Sequence, residues 1–149
     1  EQLSGHVLLS SNQTERYRTL GYEEKLISNT DWQHLGIAAK NIAQSIDADG
    51  IIAITRSGQT AEIVSNAKPF MKPVYAFSNN KKTVSQLSLA GSVQAFLSPM
   101  YSDHERNINS IMKILRKELS PSRDLKFVVI SGLLSEFSAD AIEIRPLNL

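Results

Sequence analysis

The run Gly50-Ile51-Ile52-Ala53-Ile54-Thr55-Arg56-Ser57-Gly58-Gln59-Thr60 holds the key to the fold. Its first five residues are nearly all apolar, which suits a strand buried on both faces, as in a parallel sheet. A polar loop follows, and the next apolar residues, Ala61, Ile63, Val64 and Ala67, fall at helical spacing. The reading is strand, loop, helix, with the helix starting near Thr60 and ending at Lys68-Pro69, because proline cannot continue the ladder.

The same alternation extends outward on both sides. Upstream, Trp32, Leu35, Ala39, Ile42, Ala43 and Ile46 define one apolar face of a helix over 31–47. Thr30 or Asp31 is placed to cap its first turn. Downstream, 73–78 reads as a strand, and 82–90 as a helix stopped by Gly91. Residues 93–97 alternate as a strand. A long helix capped by Asp103 then carries Ile108, Ile111, Met112, Leu115 and Leu119 on one face. Phe127-Val128-Val129-Ile130 reads as another buried strand, and Ile142-Glu143-Ile144 as a last, half-exposed one at a sheet edge.

Strands alternating with helices predict a three-layer α/β/α sandwich on a mainly parallel five-stranded sheet. Only ten residues separate Ser131 from Ile142. A parallel crossover needs about a dozen or more, so the last strand is expected to run antiparallel. Residues 1–29 do not join the alternation and read as an N-terminal extension to a domain over 30–149. Within them, Val7-Leu8-Leu9 is a lone strand candidate and 22–27 a weak helix.

Composition narrows the function classes. The 149 residues carry 16 Lys and Arg against 15 Asp and Glu, a net charge of +1. So even a balance gives no footprint for nucleic acid or an anionic membrane. With no cysteine, disulfides, thiolate metal sites and a cysteine nucleophile are excluded. No apolar run approaches the ~18 residues that span a bilayer, and the first residues lack a signal-peptide core. The expected compartment is the cytoplasm.

The loop Thr55 to Thr60 is the candidate site. It sits at the carboxyl end of a buried strand, where α/β sheets bind ligands. The first N–H groups of the following helix have no internal partner, and the helix dipole favours an anion there. Gly58 lets the backbone close on an oxygen-rich ligand. Thr55, Ser57 and Thr60 add hydroxyls, Arg56 a cation and Gln59 an amide. Together they suit a phosphate monoester better than a carboxylate. The bland alternative has Thr60 capping the helix, Gly58 making the turn and Glu62 serving as an internal anion. The spacing is not that of a P-loop, so triphosphate hydrolysis is not indicated.

Residues 52–61 resemble the effector-loop region of the pyruvate kinase C-terminal domain. The resemblance continues through Lys68-Pro69, Pro73 to Phe77, Asn80, Thr83, Gln86 to Leu89 and Gly91-Ser92-Val93. It ends with Phe127 to Gly132 and Ile142-Glu143-Ile144, covering roughly 31–149 in the family's order. Leu9-Ser10-Ser11-Asn12-Gln13-Thr14 is more weakly similar to the end of the catalytic barrel. There Asn12 and Gln13 replace a Gly and a Glu, and Arg18 replaces the proline expected after Tyr17. The loop's pattern Thr55-x-Ser57-Gly58-x-Thr60-x-Glu62 also resembles the sugar isomerase (SIS) phosphosugar-binding domain, with Glu62, His34 and His104 as available bases.

The pyruvate kinase resemblance implies a non-catalytic regulatory and oligomerisation domain. Its loop over 55–60 would bind a phosphorylated effector, with Lys81 as an accessory, and the chain would form a dimer or tetramer. It implies no catalytic residue, metal or cofactor in this chain, since Mg and K belong to the barrel, and no phosphotransferase activity of the chain alone. The loop over 132–140 has two acids and no base, so a second phosphate would be repelled. A monophosphate fits better than fructose bisphosphate. An oligomerisation module with a vestigial ligand loop is the remaining alternative.

Other polar residues read as structural. His6, His34 and His104 have no metal-ligand spacing. Asp103 to Arg106 reads as the polar first turn of a helix, and Lys113, Arg116 and Lys117 as a solvated helical face.

Overall fold

A computed structural model describes residues 29–67, 72–91, 93–132 and 141–149. Trp32–Leu149 form one compact unit of the chain. The Lys68-Pro69 stop, most of the 132–140 loop and the reading of the first 28 residues lie outside the described residues.

The elements run α1 (Asn29–Ser45), β1 (Gly50–Ile54), α2 (Gln59–Asn66), β2 (Val74–Ser78), α3 (Lys81–Ala90), β3 (Gln94–Leu97), α4 (His104–Leu119), β4 (Leu125–Ser131) and β5 (Ala141–Leu147). The five strands form one sheet in the order β3-β2-β1-β4-β5. Four are parallel, and β5 pairs antiparallel with β4 from Leu125↔Leu147 to Ser131↔Ala141. This is the expected α/β sandwich with a reversed last strand. The short return from β4 leaves no room for a crossover helix.

The central strands β1 and β2 are buried at every position, which is why their sequences do not alternate. One face of the sheet is covered by α1, α2 and α3, with a core rich in small residues that includes Ala39, Ala43, Ala53, Ala61 and Ala76. The other is covered by α4 through Ile108, Ile111, Met112 and Leu115, which pack on Phe77, Phe127 and Tyr75.

Several helix starts differ from the sequence reading. α1 begins at Asn29, so Thr30 and Asp31 lie inside it and Asp31 occupies the first turn, where a carboxylate complements the dipole. α2 starts at Gln59 with Gly58, at φ +94°, as its N-cap. Thr60 is therefore inside the helix and does not cap it. Asp103 and Gly91 behave as expected. The Asp103 carboxylate accepts from the Glu105 N–H at 3.0 Å, and Gly91 takes the left-handed conformation at the end of α3.

Candidate functional site

The strand order places β1 between β2 and β4, and the chain leaves β1 toward β2 on one side while β4 returns on the other. A crevice opens at such a reversal, outside the carboxyl ends of the two diverging strands. Here those ends are Ile54 and Ser131, which are register partners. The Gly132 N–H donates to the Ile54 carbonyl at 3.2 Å, holding the two ends together. The loop Thr55 to Thr60 leaves from this point.

The loop is fixed from within and from its neighbours. The Thr55 N–H donates to the Phe77 carbonyl at 2.9 Å, and the Gly58 N–H donates to the Thr55 hydroxyl oxygen at 2.8 Å. Thr55 is buried, so its oxygen serves the turn. Across the loop, the Arg56 carbonyl accepts from the Thr83 hydroxyl at 2.9 Å and the Ser78 hydroxyl at 3.3 Å. The β1–α2 loop is thereby bonded to the end of β2 and the start of α3. Asn80 caps α3 by accepting from the N–H groups of Lys82 and Thr83, which fixes Lys81 at the same carboxyl edge.

The remaining groups fall into two sets. Arg56, Ser57 and Gln59 are exposed, and the Ser57 hydroxyl oxygen accepts a long 3.4 Å bond from the Gln59 N–H. The N–H groups of Thr60 and Ala61 precede the first intrahelical bond, which Glu62 donates to the Gly58 carbonyl at 3.0 Å. They are the free donors of the α2 terminus. Thr60 is only 1% exposed and Ser131 only 4%, and neither hydroxyl has a hydrogen-bond partner among the described residues. Buried hydroxyls are paired in the great majority of cases. Here Thr60, in the first turn of α2, and Ser131, at the carboxyl end of β4, each keep an unpaired hydroxyl.

The structure therefore brings Thr55 to Thr60 together as the sequence suggests, but divides their roles. Thr55 and Gly58 build the turn, while Ser57, Thr60 and Arg56 keep donors to offer. Ser131 was not anticipated, although its place directly after the apolar run 127–130 puts it at the same edge. A small cavity of about 110 Å³ opens beside Ser57 and Gly58, between Glu62 of α2 and Gln86 of α3. Thr55, Arg56 and Thr60 do not line it.

Several charged side chains elsewhere are paired. His104 Nε2 lies 2.5 Å from Glu143 Oε2, and Arg145 bonds both Glu143, at 2.7 Å, and Glu105. This cluster ties the first turn of α4 to β5. Burial pushes the Glu143 carboxyl up, but hydrogen bonds from Arg145 and His104 outweigh it and hold it below its ordinary value. Among the described residues no group of three or more His, Cys, Asp or Glu is arranged to hold a metal. No described helix is long and apolar enough to cross a membrane.

Comparison with known proteins places the chain. The family described as "Pyruvate kinase, alpha/beta domain" matches over residues 33–144. The chain belongs to this family. A pyruvate kinase of Eimeria tenella is 33% identical over 99 residues, which are 66% of this chain and 18% of that protein. One of Agrobacterium vitis is 28% identical over 109 residues, 73% of this chain and 23% of its own length. The chain thus spans about a fifth of the curated relatives it matches. A crystal structure of a pyruvate kinase from Cryptosporidium parvum has the same fold, with a TM-score of 0.67 and 17% identity. It covers 87% of this chain and 25% of the crystallised one. The family match sets aside the sugar isomerase likeness of the loop.

Proposed function

We propose that this chain is the regulatory and subunit-assembly part of a pyruvate kinase, and that the β1–α2 loop takes the phosphate group of a small phosphorylated effector. The observations that support the reading are two buried, unpartnered hydroxyls, that of Thr60 in the first turn of α2 and that of Ser131 at the carboxyl end of β4 beside Ile54. Phosphate oxygens would accept from these hydroxyls, from Ser57 and from the Thr60 and Ala61 N–H groups. Arg56, planar and always charged, would add a bidentate contact, and Lys81 lies at the same edge. On this reading the chain performs no phosphoryl transfer itself and needs neither Mg nor K. Its edge strand β5, with Ile144 53% exposed, is the candidate for self-association, because an unpaired strand edge invites a partner.

A thermal-shift panel of sugar monophosphates, nucleoside monophosphates and inorganic phosphate tests the site. A bound ester at a hundredfold excess over its Kd stabilises by about 2.7 kcal/mol, which raises Tm by several degrees in a domain of this size. Thr60→Val removes the buried hydroxyl and should weaken the response while leaving the unliganded Tm in place. Gly58→Asp should abolish the response by setting a carboxylate where the anion sits. If no ester shifts the wild type, the effector reading fails. A clean monomer in sedimentation at micromolar concentration would remove the assembly role.

A further inference from the structure

The segment 78–83 lies outside the β1–α2 loop, yet it fixes one of that loop's peptide units. Two of its hydroxyls converge on a single carbonyl. Thr83 Oγ1 donates to the Arg56 carbonyl oxygen at 2.9 Å, and Ser78 Oγ donates to the same atom at 3.3 Å. Both side chains are buried. A carbonyl oxygen has two lone pairs, so both of this one's are taken.

The two donors are themselves held. The Asn80 N–H donates to the Ser78 hydroxyl oxygen at 3.2 Å. The Asn80 side chain accepts from the Thr83 N–H at 3.3 Å, which seats Thr83 in the first turn of α3. A Cβ on Gly58 would lie 3.4 Å from Thr83 Cγ2, so the Thr83 methyl sits beside the turn.

Peptide geometry carries this constraint outward. A trans peptide is planar, with its C=O and N–H on opposite sides, and none of the described peptides is cis. The Arg56 carbonyl is aimed at Ser78 and Thr83, so the Ser57 N–H is aimed away from them. Ser57 is exposed, and its N–H has no hydrogen-bond partner among the described residues. The next N–H in the chain, that of Gly58, is spent on the Thr55 hydroxyl oxygen. Ser57 therefore keeps a backbone donor whose direction is set by two buried side chains of the neighbouring β2–α3 segment. Those side chains have no O–H left to offer a ligand.

We propose, on the reading that the loop takes a phosphate group, that Thr83 is a positioning residue for it. Together with Ser78 it holds the Arg56–Ser57 peptide so that the Ser57 N–H meets the anion. The effect is reciprocal, because a coupling free energy acts equally on both events. An anion on the Ser57 N–H polarises the peptide and makes its carbonyl a stronger acceptor. Binding therefore tightens the bonds from Ser78 and Thr83 and steadies the start of α3. Occupancy of the loop is reported to α3 through the Arg56 carbonyl.

Inorganic phosphate titrated into the full 149-residue chain, followed by amide ¹H–¹⁵N spectra and hydrogen exchange, tests this. In the wild type the Ser57 signal should shift along with those of Thr60 and Ala61, and exchange of the α3 amides Val84 to Leu87 should slow. Thr83→Val keeps the branched shape and removes the hydroxyl. It should weaken phosphate binding roughly threefold to tenfold, the worth of one hydrogen bond, and abolish the slowing in α3. Thr83→Ser keeps the hydroxyl and should restore both. Ser78→Ala should weaken binding in the same direction. Unchanged phosphate affinity in Thr83→Val, or in Ser78→Ala should Thr83→Val not fold, overturns the proposal. So does an equal loss in Thr83→Ser, since Thr83 would then act through its methyl alone. A shift of Thr60 and Ala61 without Ser57 overturns it too, and leaves the effector reading standing. No shift anywhere in 55–61 overturns both.

Discussion

The two faces of the sheet solve the same burial problem with opposite materials. On one face three helices rest on alanine, valine and isoleucine. On the other a single helix, α4, rests on Phe77, Phe127, Tyr75 and large aliphatic side chains. Small residues let backbones approach. A Cβ on Gly36 of α1 would lie 2.5 Å from Cγ2 of Ile63 and 2.8 Å from its carbonyl oxygen, so α1 and α2 are nearly in backbone contact. Large residues instead fill volume that one helix alone cannot cover. The first face should be intolerant of added atoms and the second of removed ones.

The largest expected effect is on the aromatic face. Phe77 is fully buried and stacks on Phe96 with centroids 5.2 Å apart. Phe77→Ala should cost about 3–5 kcal/mol in urea unfolding. A loss below ~1 kcal/mol would mean that α4 collapses onto the gap, and the contrast between the faces would be weaker than the packing implies.

On the alanine face the informative outcome is a sign. In an open helix Gly→Ala stabilises by about 1 kcal/mol. Gly36→Ala should instead destabilise by roughly 1–3 kcal/mol, because its new methyl meets the Ile63 backbone. A gain in stability on the same urea curve would show that the α1–α2 contact has slack.

The smallest effect is a pH dependence confined to the α4 face and the amino edge. Glu143 and Asp49 are both held below their ordinary values, Glu143 by Arg145 and His104 against burial, Asp49 by Arg123 and Lys126 against burial. A depressed folded-state pKa contributes stability above the unfolded value and loses it as pH falls through the folded one. With ordinary values of 4.5 and 3.8, these contributions should be intact at neutral pH and decline below about pH 4.5. Hydrogen exchange in the first turn of α4 should then rise before exchange in α1 to α3. Glu143→Gln should make the decline shallower, and an unchanged acid profile would show that the cluster adds nothing.

Much of this was legible in the sequence. The unbroken apolar runs at 50–54 and 127–130, the helical spacing after Asp103 and the short link from Ser131 to Ile142 fixed the layers and the reversed last strand. The loop over 55–60 was legible because a glycine, hydroxyls and a cation between a buried strand and a helix have a known physical use. Its division of labour was not. Whether the Thr55 hydroxyl serves the Gly58 N–H or a ligand depends on a turn only four residues long. Thr60 was misjudged as a possible cap because Gly58 can take a positive φ and end the turn two residues earlier.

The sequence by itself determined the elements, their order and the family, since these follow from local periodicity and from short motifs whose meaning does not depend on distant residues. The tertiary structure alone decided which distant residues meet. It set Ser131 beside the loop, Asp49 against Arg123, His104 against Glu143 and the Tyr75 ring over Gly50. The physical reason is that hydrogen bonds and close packing act over a few ångströms in space. Strand order, which brings residues 54 and 131 into register, is fixed by how the whole sheet buries its faces and not by any segment's own pattern.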